Sequence, residues 1–315
     1  MPEAVRAPAG PASAPTSRVG GLSTWDLALL VALAFLWGSA YISIREGILL
    51  GASPELYAAV RYAFSALAFA AIAMGQREPW PGRRPLLVSA VVGGILVIGL
   101  YGGLLYWGEQ YTTGGYASVL SSTSPILTVV IAYSLLPAER LRRLSLLGIL
   151  IGFAGAVVLV APDLARGGVG GWPGPLFIIG AFLSTSIGTV LLRRIGGGRQ
   201  GMWQIGSQFG VAAALLMAVS LAVPGQLALP LTAPLWAALA ALVGFSSIGG
   251  YFVYYVLHHR VGPVRANIVA YLLPLVGIGL GSGLFGEAVS AWEIVGFLIV
   301  LGGVTLVVRG SGNSP

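Results

Sequence analysis

The chain has 315 residues, 57% hydrophobic and 9% charged; soluble domains carry about 25% charged residues, so too little polar surface exists here to cover a water-soluble globule. The formal net charge of +7 comes from 17 basic residues, all arginine, against 10 acidic ones. They sit in short segments between apolar runs, as topology signals do, and exclude a nucleic-acid reading. There is no cysteine, which excludes disulfides, thiolate metal ligands and cysteine nucleophiles.

Residues 1–24, rich in Ala, Pro, Ser and Gly, lack the apolar core of a signal peptide. They read as a disordered cytoplasmic tail. Apolar runs of transmembrane length then follow one another, each close to the ~20 residues that cross a bilayer as a helix. The first five are predicted at Trp25–Leu49, Tyr57–Met74, Leu86–Trp107, Tyr116–Leu136 and Leu144–Ala161. The second five are predicted at Pro175–Leu192, Trp203–Val223, Leu235–Leu257, Ala266–Phe285 and Ala291–Val308. The ~10-residue alternating segments of an outer-membrane barrel are absent. The expected architecture is an all-α membrane protein of ten transmembrane helices, with repeats at 25–162 and 173–309 and a cytoplasmic tail at 310–315. Glycine pairs four apart (Gly99–Gly103, Gly148–Gly152, Gly206–Gly210, Gly277–Gly281) are the kind that let helix backbones approach in lipid.

With the N-terminus inside, 14 of the 17 arginines fall in inside segments, among them Arg77, Arg83, Arg84, Arg140, Arg142, Arg143, Arg193, Arg194 and Arg199. Arg45 and Arg166 lie outside and Arg61 lies within a span. The positive-inside rule then places both termini in the cytoplasm. The sequence also repeats: Ala34-Phe35-Leu36 matches Ala181-Phe182-Leu183 at an offset of 147, and Pro125 matches Pro274 at 149. Five spans per copy is an odd number, so the second copy is expected to cross in the opposite sense. Inverted repeats with a midplane substrate site are a recurrent plan in secondary transporters.

Trp37-Gly38-Ser39, Arg61-Tyr62, Pro125 and Glu139 with Gly148–Gly155, followed by Pro274, Glu287 and Gly296–Gly303 in the same order, resemble the drug/metabolite transporter superfamily, and within it the EamA-type ten-helix exporters. The likeness spans Trp25 to Val308. It implies two five-helix repeats around a central cavity and transport without catalysis, with amino acids, other metabolites and drugs as substrates across the family. The second half departs from the pattern: Ser184-Thr185-Ser186 stands for Trp-Gly-Ser, and Gln208 stands for the arginine.

Several residues stand out physically. Pro125 and Pro274 each remove a helix hydrogen bond mid-span, as packing kinks or as paired hinges for alternating access. Ser121 and Ser122, beside Pro125, either return hydrogen bonds to the kinked helix or touch substrate. Arg61 has two readings: an ion pair with Glu46, Glu55 or Glu109 near the external surface, or a cationic anchor for a substrate carboxylate. Trp37 and Tyr41 share a helix face. With Tyr101, Trp203, Tyr254 and Tyr271 they make an aromatic lining suited to a flat or apolar side chain; Gln208 and Asn267 complete the candidate set. Adjacent His258 and His259 point apart on a helix and make no metal pair, and no metal or cofactor is expected. Glu139 and Glu287 read as end-of-helix ion pairs. No P-loop, His-Glu-x-x-His or channel-filter motif appears.

The sequence therefore points to a non-enzymatic secondary transporter in the inner membrane, exporting small metabolites such as amino acids or amphipathic compounds. Its partners are a small-molecule substrate and the lipid bilayer, and it is a monomer or homodimer. An importer of a related metabolite, or a flippase for a lipid-linked substrate, are the alternatives.

Overall fold

The computed structural model describes residues 18–19, 22–135, 143–166, 172–195, 200–223, 225, 227–261, 269–286 and 288–311. A two-residue ladder, Arg18–Val19 against Leu22–Ser23, precedes the first helix. Of the tail expected over 1–24, residues 1–17, 20 and 21 lie outside the described residues, as do Glu139, Arg140, Arg142, Asn267, Glu287 and 312–315.

The described residues form ten helical segments. In the first half these are α1 (Thr24–Leu49), α2 (Pro54–Gly75), α3 (Arg83–Glu109), α4 (Gly114–Leu135) and α5 (Arg143–Arg166). In the second they are α6 (Pro173–Ile195), α7 (Met202–Ala222), α8 (Ala233–Leu257), α9 (Val269–Phe285) and α10 (Ala291–Ser311). Seven of them are long and apolar enough to span a bilayer, and α5, α9 and α10 contain shorter apolar stretches. The chain is a multi-pass membrane protein. Leu67, Leu150, Phe153, Leu221 and Leu284 stand exposed on the outer surface, an arrangement suited to lipid and unfavourable in water.

Local chemistry sets the helix starts. Ser23 and Asp26 form a reciprocal capping box on α1. Pro54 opens α2 at a position where the missing N–H costs nothing. The Thr113 hydroxyl accepts from the Tyr116 amide at the start of α4. At α7, the Glu78 carboxylate accepts from the Met202 amide at 2.8 Å.

Three helices are not regular along their length. α3 is π-helical over Ser89–Leu100 and α8 over Leu242–Gly249. α4 tightens into a 3₁₀ turn over Ser121–Thr123, with Pro125 just beyond it. Pro274 lies inside α9. The hydroxyls of Ser118, Ser121, Ser122 and Thr123 each donate to the carbonyl three residues back, so this stretch of α4 carries its own side-chain hydrogen bonds.

Packing joins the halves. α2 lies along α7, α1 along α9, and α5 along α10. At the α5–α10 seam a β-carbon on Gly303 would sit 2.4 Å from the Gly152 nitrogen, so the backbones touch there. The loop after α2 meets the start of α7 through Glu78 and Met202, while the loop before α2 meets the loop after α7 through Ser53 and Ala228 at 2.7 Å. Helices α2 and α7 therefore run in opposite directions.

Candidate functional site

Arg61 lies two turns into α2, with 7% of its surface exposed. Its guanidinium reaches across the halves: Nε donates to Ser247 Oγ at 3.1 Å and Nη2 to Ser246 Oγ at 2.9 Å, both on the π-helical stretch of α8. Nη1 donates to Tyr106 Oη on α3 at 3.2 Å, and the Tyr62 ring lies 5.4 Å from the guanidinium carbon. Among the described residues Arg61 makes no ion pair, contrary to the first sequence expectation. The carboxylates expected to meet it are placed otherwise. Glu55 accepts a hydrogen bond from the Trp107 indole. Glu109 ends α3, fully buried, with its backbone carbonyl accepting from Arg45. Removing a charge from water while giving it only neutral oxygen partners is costly.

Rings extend from this centre. Tyr62 packs on Phe209, Phe209 on Tyr251, and Tyr251 and Tyr254 on Trp37, with centroids 5.1–5.7 Å apart. Trp37 fits because residue 250 is glycine: a β-carbon there would lie 2.4 Å from the indole nitrogen. Tyr101 lies in the electrostatic neighbourhood of Tyr41, Tyr62, Tyr251 and Arg61. Tyr41 lies near both Tyr101 and Ser121. The structure thus gathers Trp37, Tyr41, Arg61, Tyr101, Ser121 and Tyr254 in one neighbourhood.

The other sequence candidates sit apart. Ser122 is buried and bonded to its own helix. Gln208, buried against Gly93, donates to Ser89 Oγ and Gln200 Oε1, both at 2.8 Å. Trp203 lies at the start of α7, stacked edge-on with Trp80, its indole donating to the Glu78 carbonyl. Asn267 and the side chains of Tyr271, His258 and His259 lie outside what is described.

Ser246 and Ser247 escaped the sequence reading, although a signal for them exists. Gly94-Ile95-Leu96-Val97-Ile98-Gly99-Leu100-Tyr101 and Gly244-Phe245-Ser246-Ser247-Ile248-Gly249-Gly250-Tyr251 share Gly-x-x-x-Ile-Gly-x-Tyr at an offset of 150. The part of each copy from glycine to glycine falls on a π-helical stretch. In each, the second glycine faces the carbonyl of the first, five residues back: a β-carbon would meet Gly94 O at 2.7 Å from Gly99, and Gly244 O at 3.2 Å from Gly249. Ser184 on α6 donates to Leu96 O on the π-helical stretch of α3 at 2.8 Å.

The duplicated motif agrees with comparison to known proteins. The EamA-like transporter family matches this chain twice, over residues 24–161 and 172–309. The chain belongs to the EamA-like transporter family. An Escherichia coli protein named as an uncharacterized inner membrane transporter, YedA, is 30% identical over 91% of each chain. A Streptantibioticus cattleyicolor protein named "Probable terminal-alkyne amino-acid exporter" is 31% identical over 48% of this chain and 49% of its own. One solved crystal structure superimposes with a TM-score of 0.62 at 20% identity, covering 91% of this EamA-like chain and 98% of the other, a likeness of fold.

Proposed function

We propose that this EamA-like transporter is a secondary exporter of small metabolites in the inner membrane, with ten transmembrane helices in two inverted five-helix repeats and both termini cytoplasmic. Alternating access exposes a central site between the halves to either side, and Pro125 and Pro274 serve as its hinges. Arg61 carries this reading: a buried cation held from α2 and α3 on one side and α8 on the other, so the halves cannot part without changing its surroundings. The opposite courses of α2 and α7 support the inverted plan, as does the double family match. The relatives named as an inner membrane transporter and as an amino-acid exporter support the location and the direction. The site comprises Trp37, Tyr41, Arg61, Tyr101, Ser121 and Tyr254. Gln208 and Trp203 lie apart from this group on α7, toward its cytoplasmic end.

Counterflow in proteoliposomes tests this. A labelled amino acid or amphipathic metabolite from a broad panel exchanges through the wild-type protein, and Arg61→Gln, expressed at the same level, exchanges it at least tenfold more slowly. Movement of lipid alone would favour a flippase, and uphill uptake into intact cells an importer. No exchange of any soluble solute would overturn the export reading.

A further inference from the structure

We infer that the hydroxyls around Arg61 form an oxyanion site for the carboxylate of a substrate with an aromatic or branched apolar body, and that Ser246 and Ser247 set this specificity. The inference rests on the transport reading above and names the chemistry of its site.

The direction of the hydrogen bonds is the first ground. A guanidinium only donates, so Ser246, Ser247 and Tyr106 are acceptors toward Arg61. Each hydroxyl keeps one hydrogen, and among the described residues none of the three donates it. All three residues are at least nine-tenths buried. The buried serine and threonine hydroxyls of α2 and α4 behave differently. Ser65 donates to the Arg61 carbonyl at 2.8 Å, and Ser118, Ser121, Ser122 and Thr123 donate to carbonyls one turn back. Three buried O–H groups polarised by one cation, with no acceptor of their own, fit an incoming group that only accepts. A carboxylate has two oxygens and about four lone-pair sites for them.

Geometry is the second ground. Ser247 and Ser246 occupy Nε and Nη2, the side-on fork of the guanidinium, which sets their two hydroxyls side by side so that each can donate to one oxygen of a planar carboxylate. The rings of Tyr62, Phe209, Tyr251 and Trp37 continue from it as an apolar surrounding, with Trp37 and Tyr251 half-buried and so placed to meet the substrate's body. The asymmetry of the duplicated motif is the third. Leu96 and Val97 stand where the second copy has Ser246 and Ser247, and Gln208 stands where the first half has Arg61. Among the described residues the arrangement thus occurs once.

The test uses purified full-length protein with hydrocinnamate and its isosteric neutral amide as probes, reading binding from ligand-induced shifts in melting temperature. Wild type is expected to bind hydrocinnamate at least tenfold tighter than the amide. The Ser246→Ala/Ser247→Ala double variant is expected to lose that preference. Ser246→Thr/Ser247→Thr, which keeps both hydroxyls, retains it. Equal binding of the two probes by wild type, no shift with either at millimolar concentration, or an undiminished preference in the alanine variant would overturn the inference. Binding with this preference but without counterflow would count against the transport reading and leave the carboxylate site standing.

Discussion

Tyr106 is fully buried, and its hydroxyl oxygen is the acceptor for one arm of Arg61 while its ring packs edge-on against Tyr57. Tyr106→Phe keeps the ring and removes the acceptor, leaving a buried charged donor short of one partner. A hydrogen bond to a charged group contributes about 1.5–3 kcal/mol, so thermal unfolding in detergent should show a loss of that order. An unchanged melting temperature would mean that water replaces the phenol and that the site is wet. Arg61 itself was legible in the sequence as the lone arginine inside a span, but its partners were not. The ion-pair expectation looked to acids on the same end of neighbouring spans. The structure answers with serines 185 and 186 residues away, which only the closure of two halves brings near.

At the level of elements, apolar length made the helices readable, because lipid leaves few other conformations for an apolar run of that length. The departures from regular helix were not readable from hydropathy, which counts side-chain character and is blind to winding. The π-helical stretches reveal themselves only when the two halves are laid together and Gly94/Gly99 fall on Gly244/Gly249. The α5–α10 seam gives an element-scale test. A β-carbon on Gly303 would lie 2.4 Å from Gly152 N and 2.6 Å from Gly148 O, backbone atoms that move only if the helices separate; the same atom on Gly302 meets nothing within 4 Å. Gly303→Ala should destabilise by about 1–3 kcal/mol, the usual cost of overpacking. Gly302→Ala should stay within about 0.5 kcal/mol of wild type. Equal melting temperatures for the two variants would show that the helices are not in backbone contact.

At the scale of the whole molecule, the distribution of arginines and the sense of the two repeats make one joint claim about sidedness. Gln76 follows α2, beside an arginine-bearing loop, and Leu231 precedes α8 in the corresponding loop of the second half. Both are exposed. The contacts Glu78–Met202 and Ser53–Ala228 hold these two loops at opposite ends of the α2–α7 pair. Positive charge belongs on the cytoplasmic side, so Gln76 should face the cytoplasm and Leu231 the exterior. The absence of cysteine from the chain allows each position to carry the only thiol. An impermeant maleimide applied to intact cells should label Leu231→Cys, and should label Gln76→Cys only after the membrane is permeabilised. Labelling of both from the same side would make corresponding loops of the two halves share a face. The halves would then be parallel copies, and a site that alternates between them by inverting one arrangement into the other would lose its geometric basis.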